Sequence, residues 1–217
     1  MRIRNKPWAK IELEQSEIYI NNPEEYKNRW RELFENDNPI HLELGCGKGF
    51  FVKEAAMKNL NVNYIAIDLI DAMLGVANRN ILERANGEKI NNLYLTRYDI
   101  EEINNIIGEK DNIERIYINF CNPWPKAKHK KRRLTHIRQL EKYKQFLANG
   151  GEIFFKTDDD ELFNESLEYF KETGFKIIKL TYDLANEPEF WDNIETEHEI
   201  KFRNQGIKIK AGIFRVK

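Results

Sequence analysis

The chain has few of the residues that build disulfide frameworks or metal sites. Its 217 residues include two cysteines, Cys46 and Cys121, and four histidines. Neither cysteine has a Cys or His neighbour at metal-ligand spacing. We therefore expect both thiols to be reduced packing residues, and we expect no bound metal.

Long apolar runs and linkers are also missing. No stretch of about 18 apolar residues occurs, and the basic start of the chain is not followed by the apolar segment of a secretory signal. We expect a cytoplasmic protein with no membrane partner. Since no repeat or Pro/Gly/Ser-rich linker divides the chain, we expect one domain over residues 1–217, in which residues 1–36 form a basic N-terminal arm and an added helix at residues 23–35.

No excess of charge of one sign is present. Hydrophobic residues make up 41% and charged residues 33%, as in a globular protein, and the formal net charge is -1. The overall field of such a protein does not attract a polyanion. A nucleic-acid partner would therefore need a local basic surface.

Short apolar segments alternate with helical patterns along the chain. The segments typical of strands are residues 40–44, 64–68, 93–95, 116–120, 152–156, 176–180 and 207–214, and the helical patterns are residues 50–60, 72–85 and 134–147. This alternation predicts an α/β, Rossmann-like fold with a seven-stranded, mostly parallel sheet and helices on both faces. The last two strands flank a long polar segment, so we expect an antiparallel C-terminal strand.

A glycine-rich motif gives the clearest functional signal. Residues 43–49 read Glu-Leu-Gly-Cys-Gly-Lys-Gly, directly after the first strand and before a helix. In doubly wound sheets a ligand lies at this position, where Gly45 and Gly47 would let it approach the backbone. Asp68 ends the second strand and suits ribose hydroxyls, while Asp99 follows the third and suits an adenine edge.

The charge of this motif indicates the ligand. Glu43 would repel a pyrophosphate but would attract a sulfonium and an amino group, which favours S-adenosylmethionine. The spacing GxGxG also differs from the GxGxxG of dinucleotide sites. A turn that only tightens a strand-to-helix connection is the structural alternative. From residue 40 to residue 158 the chain resembles class I methyltransferases.

A second motif follows the fourth strand. Residues 121–126 read Cys-Asn-Pro-Trp-Pro-Lys, and residues 126–133 contain six Lys or Arg among eight residues. The prolines restrict the backbone, the Trp can stack on a base, and the cations can bind phosphates. A solvated helix face and a buried Trp are the structural alternatives.

This second motif resembles the bacterial tRNA (guanine-N7)-methyltransferase family, which modifies guanine 46 in the variable loop. The resemblance also includes Lys-Thr-Asp at residues 156–158 and Thr-Glu-His-Glu-Ile-Lys-Phe at residues 196–202, and it covers most of the chain. It implies a SAM-dependent enzyme that binds tRNA and produces N7-methylguanosine and S-adenosylhomocysteine.

The resemblance also implies roles for individual residues. The residues implied to bind the cofactor or lie beside it are Glu43, Asp68, Asp99 and Asn122. The residues implied to contact the substrate are Lys126, Asp158, Thr196, Glu197, His198 and Glu199. The family usually has Asp at position 122 and more often an aromatic residue at position 198. The chain therefore lacks a carboxylate base at 122, whereas His198 can still stack.

Guanine N7 methylation needs no general base, because N7 carries an exposed lone pair. We expect in-line attack on the methyl carbon, with the base becoming cationic. Our hypothesis is that Asp158 stabilises that charge or binds the guanine N1 and N2 donors, and that Asn122 orients the base through its amide oxygen. Helix capping is the structural alternative for Asp158, and a capping box or surface loop for residues 196–199.

Three other functions are compatible with parts of this pattern. They are an NAD-dependent oxidoreductase, a methyltransferase that acts on a small molecule or protein, and a noncatalytic RNA-binding module on a methyltransferase scaffold. The sequence leaves open whether the protein is a monomer or a homodimer.

Overall fold

The computed structural model describes residues 6–187, 189–190 and 193–216. The chain divides into two compact units, Met1–Asp111 and Asn112–Lys217. The single domain over residues 1–217 stays a prediction, and residues 1–5 of the basic arm lie outside the described residues.

The first unit contains four parallel strands in the order β1-β4-β3-β2. The strands are β1 (Tyr19–Ile20), β2 (Ile40–Leu44), β3 (Asn63–Asp68) and β4 (Leu93–Arg97). The α-helices are α1 (Pro7–Glu14), α2 (Trp30–Phe34), α3 (Phe50–Lys58) and α4 (Asp71–Ala85), and short 3₁₀ helices cover Pro23–Tyr26, Ile100–Asn105 and Glu109–Asp111.

The core of this unit follows from the apolar strands. Every residue of β2 is buried, as expected for a strand covered on both faces. Helix α4 packs closely on α1, since a Cβ added to Gly75 would lie 2.5 Å from the Cβ of Ala9. The predicted helices at residues 50–60 and 72–85 are confirmed as α3 and α4 with small changes at their ends.

The added helix predicted at residues 23–35 is wrong as one element. A 3₁₀ helix and α2 flank Asn28, whose φ of 65° lies in the left-handed region. The Asp111 carboxylate accepts hydrogen bonds from the backbone N–H groups of Asn28 (2.8 Å) and Trp30 (3.2 Å). This distant carboxylate stabilises a break that the local helical pattern does not show.

The second unit contains four strands in the order β5-β6-β8-β7. They are β5 (Ile113–Asn119), β6 (Leu147–Thr157), β7 (Lys176–Thr181) and β8 (Lys210–Arg215), with α5 (Ile137–Tyr143), α6 (Asp160–Glu172) and α7 (Glu197–Asn204). Two 3₁₀ helices cover Ala127–Arg132 and Leu184–Asn186. Strands β5 and β6 are parallel, and β8 is antiparallel to both β6 and β7.

The predicted fold class is confirmed, with eight strands where the sequence indicates seven. The additional strand β1 has two residues and is too short to show an apolar pattern. The helix predicted at residues 134–147 spans only Ile137–Tyr143, because the Phe146 carbonyl accepts the Ile113 N–H and Leu147 pairs with Ile113 in the sheet. The antiparallel C-terminal strand is confirmed as β8.

Both cysteines are free, in agreement with their predicted packing role. Burial and the nearby charges of Asp68 and Glu43 raise the pKa of Cys46 well above its usual value. Burial raises the pKa of Cys121 to about 12. Both thiols are therefore protonated and unreactive at neutral pH. Within the described ranges, none of the helices combines the length and apolar character needed to cross a bilayer.

Candidate functional site

The glycine motif forms a loop of left-handed backbone between β2 and α3. Gly45, Gly47 and Gly49 have φ values of 77°, 55° and 72°, a region that glycine adopts without strain. The Gly45 N–H donates to the Ile67 carbonyl at 2.8 Å and ties the loop to β3. A Cβ at Gly49 would lie 2.9 Å from the Cβ of Ala77, so this glycine serves the packing of α3 on α4.

Asp68 is joined directly to this loop. Its Oδ2 accepts the Gly47 N–H at 2.9 Å and its Oδ1 accepts the Ile70 N–H at 3.0 Å. Burial raises the pKa of this carboxyl, while these backbone hydrogen bonds oppose the increase. A carboxylate has about four acceptor positions, so Asp68 can still accept hydrogen bonds from a vicinal diol.

Two other acidic residues lie at the same edge of the first unit. Glu43, near the end of β2, is buried. Its charge and that of Asp68 both raise the pKa of Cys46, after the larger effect of burial. Asp99 follows β4 and is exposed, and its Oδ1 accepts the Glu101 N–H at 2.9 Å at the start of a 3₁₀ helix. The loop environment is therefore negative, which suits a cationic ligand and opposes a pyrophosphate.

The loop after β5 contains two unfavourable backbone conformations. Phe120 and Trp124 have φ values of 52° and 43°, and each such non-glycine residue costs on the order of 1 kcal/mol. The Asn122 Oδ1 accepts the Trp124 N–H at 3.1 Å. The oxygen predicted to orient the substrate base therefore also stabilises this turn. The side chain of Asn122 is exposed.

The basic segment at residues 126–133 is not one uniform cationic face. Lys130 and Arg133 form ion pairs with Glu161 and Glu165 of α6. Sequence reasoning missed these acidic partners, which lie 28 to 35 residues further along the chain and carry no distinctive motif. Within this segment, the exposed lysines that form no ion pair with any described residue are Lys126, Lys128 and Lys131.

Three consecutive aspartates after β6 have different surroundings. Asp159 caps α6, since its Oδ1 accepts the Leu162 N–H at 2.7 Å. Asp160 pairs with the Lys210 ammonium at 2.8 Å. The half-buried Asp158 carboxylate forms no hydrogen bond or ion pair with the described part of the chain. The capping role considered for Asp158 therefore belongs to Asp159, and Asp158 can bind a ligand.

The motif at residues 196–199 forms the start of α7. Thr196 caps this helix by accepting the Glu199 N–H at 3.1 Å. The buried Glu199 carboxylate binds the Lys156 ammonium at 2.7 Å, so it does not complete a capping box. Glu197 and His198 are exposed, and His198 stacks on Phe120 with ring centroids 5.7 Å apart. Substrate contact by these residues stays a prediction.

Lys156 is the main residue that sequence reasoning did not explain. Its ammonium also donates to the Asn193 Oδ1 at 2.9 Å and to the Ile194 carbonyl at 3.0 Å. A lysine within a strand of buried apolar residues is a signal from which a specific partner could have been predicted, because lysine is almost never buried unless paired.

Solved structures show which class of protein has this fold. The 16S rRNA methyltransferase KamB matches with a TM-score of 0.64 at 12% identity over 87% of this chain and 93% of that chain. An antibiotic-related methyltransferase matches with a TM-score of 0.62 at 16% identity over 87% of this chain and 92% of that chain. The fold is that of the class I methyltransferases.

Sequence comparisons define the family within that class. The family described as "Putative methyltransferase" matches residues 37–211. The tRNA (guanine-N(7)-)-methyltransferase of Clostridium beijerinckii is 59% identical over 97% of this chain and 96% of the relative. The protein of the same name from Clostridium acetobutylicum is 52% identical over 100% of both chains. The chain therefore belongs to the tRNA (guanine-N7)-methyltransferase family.

Proposed function

We propose that this protein transfers a methyl group from S-adenosylmethionine to N7 of guanine 46 in the variable loop of tRNA. The main support is the identity of 52% to 60% with tRNA (guanine-N(7)-)-methyltransferases over at least 97% of the chain. No other candidate function has support of this extent.

The residues of the first unit fit the methyl donor. When bound, S-adenosylmethionine supplies an electrophilic methyl group on a sulfonium, which leaves as S-adenosylhomocysteine. Gly45 and Gly47 offer a close backbone approach, and Asp68 has acceptor capacity left for the ribose hydroxyls. Glu43 provides negative charge for the cationic end of the donor, and Asp99 is the proposed contact for adenine.

The residues of the second unit fit a guanine that becomes cationic. Since N7 has a free lone pair, the reaction needs no general base, and Asn122 in place of the family's usual Asp is compatible with it. The Asp158 carboxylate either stabilises the methylated purine or accepts hydrogen bonds from guanine N1 and N2. Asn122 orients the base beside it.

The tRNA backbone is bound by exposed cations in this proposal. Lys126, Lys128 and Lys131 can each neutralise a phosphate, so tRNA affinity should fall steeply with rising salt. Glu197 and His198 are the exposed members of the late motif and are the proposed contacts with the target nucleotide. Thr196 and Glu199 support them by fixing the start of α7.

Methyl transfer from labelled S-adenosylmethionine to unmodified tRNA tests the proposal. The label should map to guanine 46 by cleavage at N7-methylguanosine, and a tRNA with adenine at this position should accept none. No transfer, or transfer to another nucleotide, would contradict the proposed function.

Replacement of Asp158 tests its assigned role. Asp158→Ala should lower kcat on the order of 100-fold and leave the Kd for S-adenosylmethionine unchanged, since the carboxylate acts on the guanine. Asp160→Asn is the matched control, because it removes a neighbouring carboxylate that pairs with Lys210. Equal turnover of the two variants would exclude the role of Asp158.

A further inference from the structure

Arg133 differs from the other cations of the basic segment because it is buried. Only 1% of its side chain is exposed. Its Nε donates to the Pro123 carbonyl at 2.7 Å, and its Nη1 donates to the Glu165 carboxylate at 2.5 Å. Its Nη2 also donates to the Glu161 carboxylate at 3.4 Å. A guanidinium enclosed in this way is bound by protein acceptors and does not face a solvent-exposed phosphate.

Helix α6 provides the fixed end of this contact. Burial opposes the ionisation of Glu165, but the charges and hydrogen bonds of Lys130, Arg133 and Tyr169 outweigh it and lower the pKa of this carboxyl. Tyr169 donates its hydroxyl to Glu165 at 3.1 Å. Glu165 is therefore an ionised acceptor held in place from several sides, and it fixes Arg133.

The loop at the other end of the contact is strained. Pro123 lies between Phe120 and Trp124, the two residues with left-handed backbone. Such conformations persist only where the surroundings determine them. At the ends of the loop, the Phe120 N–H donates to the Lys156 carbonyl at 2.9 Å and the Lys126 carbonyl accepts the His129 N–H at 2.8 Å. Between these ends, the Trp124 N–H donates to Asn122 and Arg133 donates to the Pro123 carbonyl.

We propose that Arg133 is a positioning residue that fixes the loop at residues 120–126 to α6 and thereby sets the orientation of Asn122 and Lys126. The inference rests on the proposed function, because these two residues act there on the guanine and the tRNA. The role proposed for Arg133 differs from that of Lys126, Lys128 and Lys131, which face solvent and are the proposed phosphate contacts. Two classes of cation thus share one basic segment.

Arg133→Lys is the first test, since it keeps the positive charge beside Glu165 but cannot donate to Glu165 and Pro123 with the same planar geometry. We expect kcat to fall about tenfold to 100-fold, because small displacements of positioning groups have effects of this size. The dependence of tRNA affinity on salt should stay as in the unchanged protein. Lys131→Gln, a reference for a phosphate contact, should instead lower the salt slope by about one.

Glu165→Gln gives different expectations for the two possible roles. If Arg133 positions the loop, weakening its anchor lowers kcat in the same direction as Arg133→Lys. If Arg133 binds phosphate, removing this carboxylate leaves kcat at saturating tRNA unchanged and alters only tRNA affinity, which the release of Lys130 from Glu165 also raises. Glu168→Gln is the matched control on the same helix, since Glu168 is exposed and has no ion pair among the described residues. It should leave both quantities unchanged.

Hydrogen exchange of the peptide covering residues 120–126 reports on the loop without any tRNA. Arg133→Lys and Glu165→Gln should accelerate exchange there, and Glu168→Gln should not. Unchanged exchange in both variants would overturn the positioning role, whatever the activity. If Arg133→Lys fails to fold, Glu165→Gln decides the question alone. Absence of methyl transfer by the unchanged protein would instead contradict the proposed function. The hydrogen-exchange result would then test the positioning role of Arg133 by itself.

Discussion

Removal of the Glu199 carboxylate should destabilise the protein strongly. Lys156 and Glu199 form an ion pair with 1% and 7% of their side chains exposed. In Glu199→Ala the Lys156 ammonium would keep its hydrogen bonds to Asn193 and Ile194, but it would lose its ion pair with the Glu199 carboxylate. The variant therefore removes a carboxylate from beside a buried ammonium.

The size of the effect follows from this environment. Breaking a buried ion pair by removing one partner costs about 3–5 kcal/mol. Because two neutral acceptors stay in place, we expect the lower end of this range, about 3 kcal/mol. For a chain of this length that corresponds to a decrease in Tm of about 6–12 °C. Thermal unfolding followed by circular dichroism measures it directly.

Two further variants separate the charge from other consequences of the substitution. Lys156→Met combined with Glu199→Leu removes both charges and should recover most of the lost stability. Glu195→Ala removes an exposed carboxylate that pairs with Arg203 and should cost less than about 1 kcal/mol. The reasoning is refuted if Glu199→Ala unfolds at the same temperature as Glu195→Ala, or if the double variant is as unstable as the sum of its single changes.

The first unit offers two more predictions. Burial raises the pKa of Asp68, so affinity for S-adenosylmethionine should begin to fall, as pH decreases, at a higher pH than for an ordinary aspartate. Without ligand, the neutral Asp68 carboxyl contributes stability that is lost as pH rises through that pKa. Calorimetric titration with S-adenosylmethionine at several pH values measures the affinity, and Asp68→Asn is the reference because its side chain does not titrate. An affinity of the unchanged protein that does not vary with pH would contradict the prediction. Gly49→Ala should destabilise by about 1–3 kcal/mol in denaturant unfolding through contact with Ala77. Gly87→Ala, which has a similar φ but nothing within 4 Å of the added Cβ, should cost less, and equal losses would exclude the contact as the cause.

The first unit could largely be predicted from the sequence because its signals are local. Strand β2 has the bounds that its apolar run indicates. The glycines after it adopt left-handed backbone, which other residues adopt only with strain. Asp68 lies at the end of β3, where the parallel neighbour β2 also ends. The position of a cofactor residue in such a sheet follows from the strand that precedes it. The break at Asn28 could not be predicted, since it depends on Asp111.

The second unit shows why residue type alone does not assign a role. Asp158, Asp159 and Asp160 are chemically identical and consecutive, yet one caps a helix, another pairs with a lysine and one has a carboxylate left for a ligand. These roles depend on where α6 begins and on β8, which lies about 50 residues further along the chain. The same holds for the basic segment, because the ion pair with Glu165 keeps Arg133 inside the protein. Lys126, Lys128 and Lys131 of this segment face solvent. A cluster of like charges therefore predicts the chemistry of a surface, and the contacts made by distant elements decide which of its members can reach a substrate.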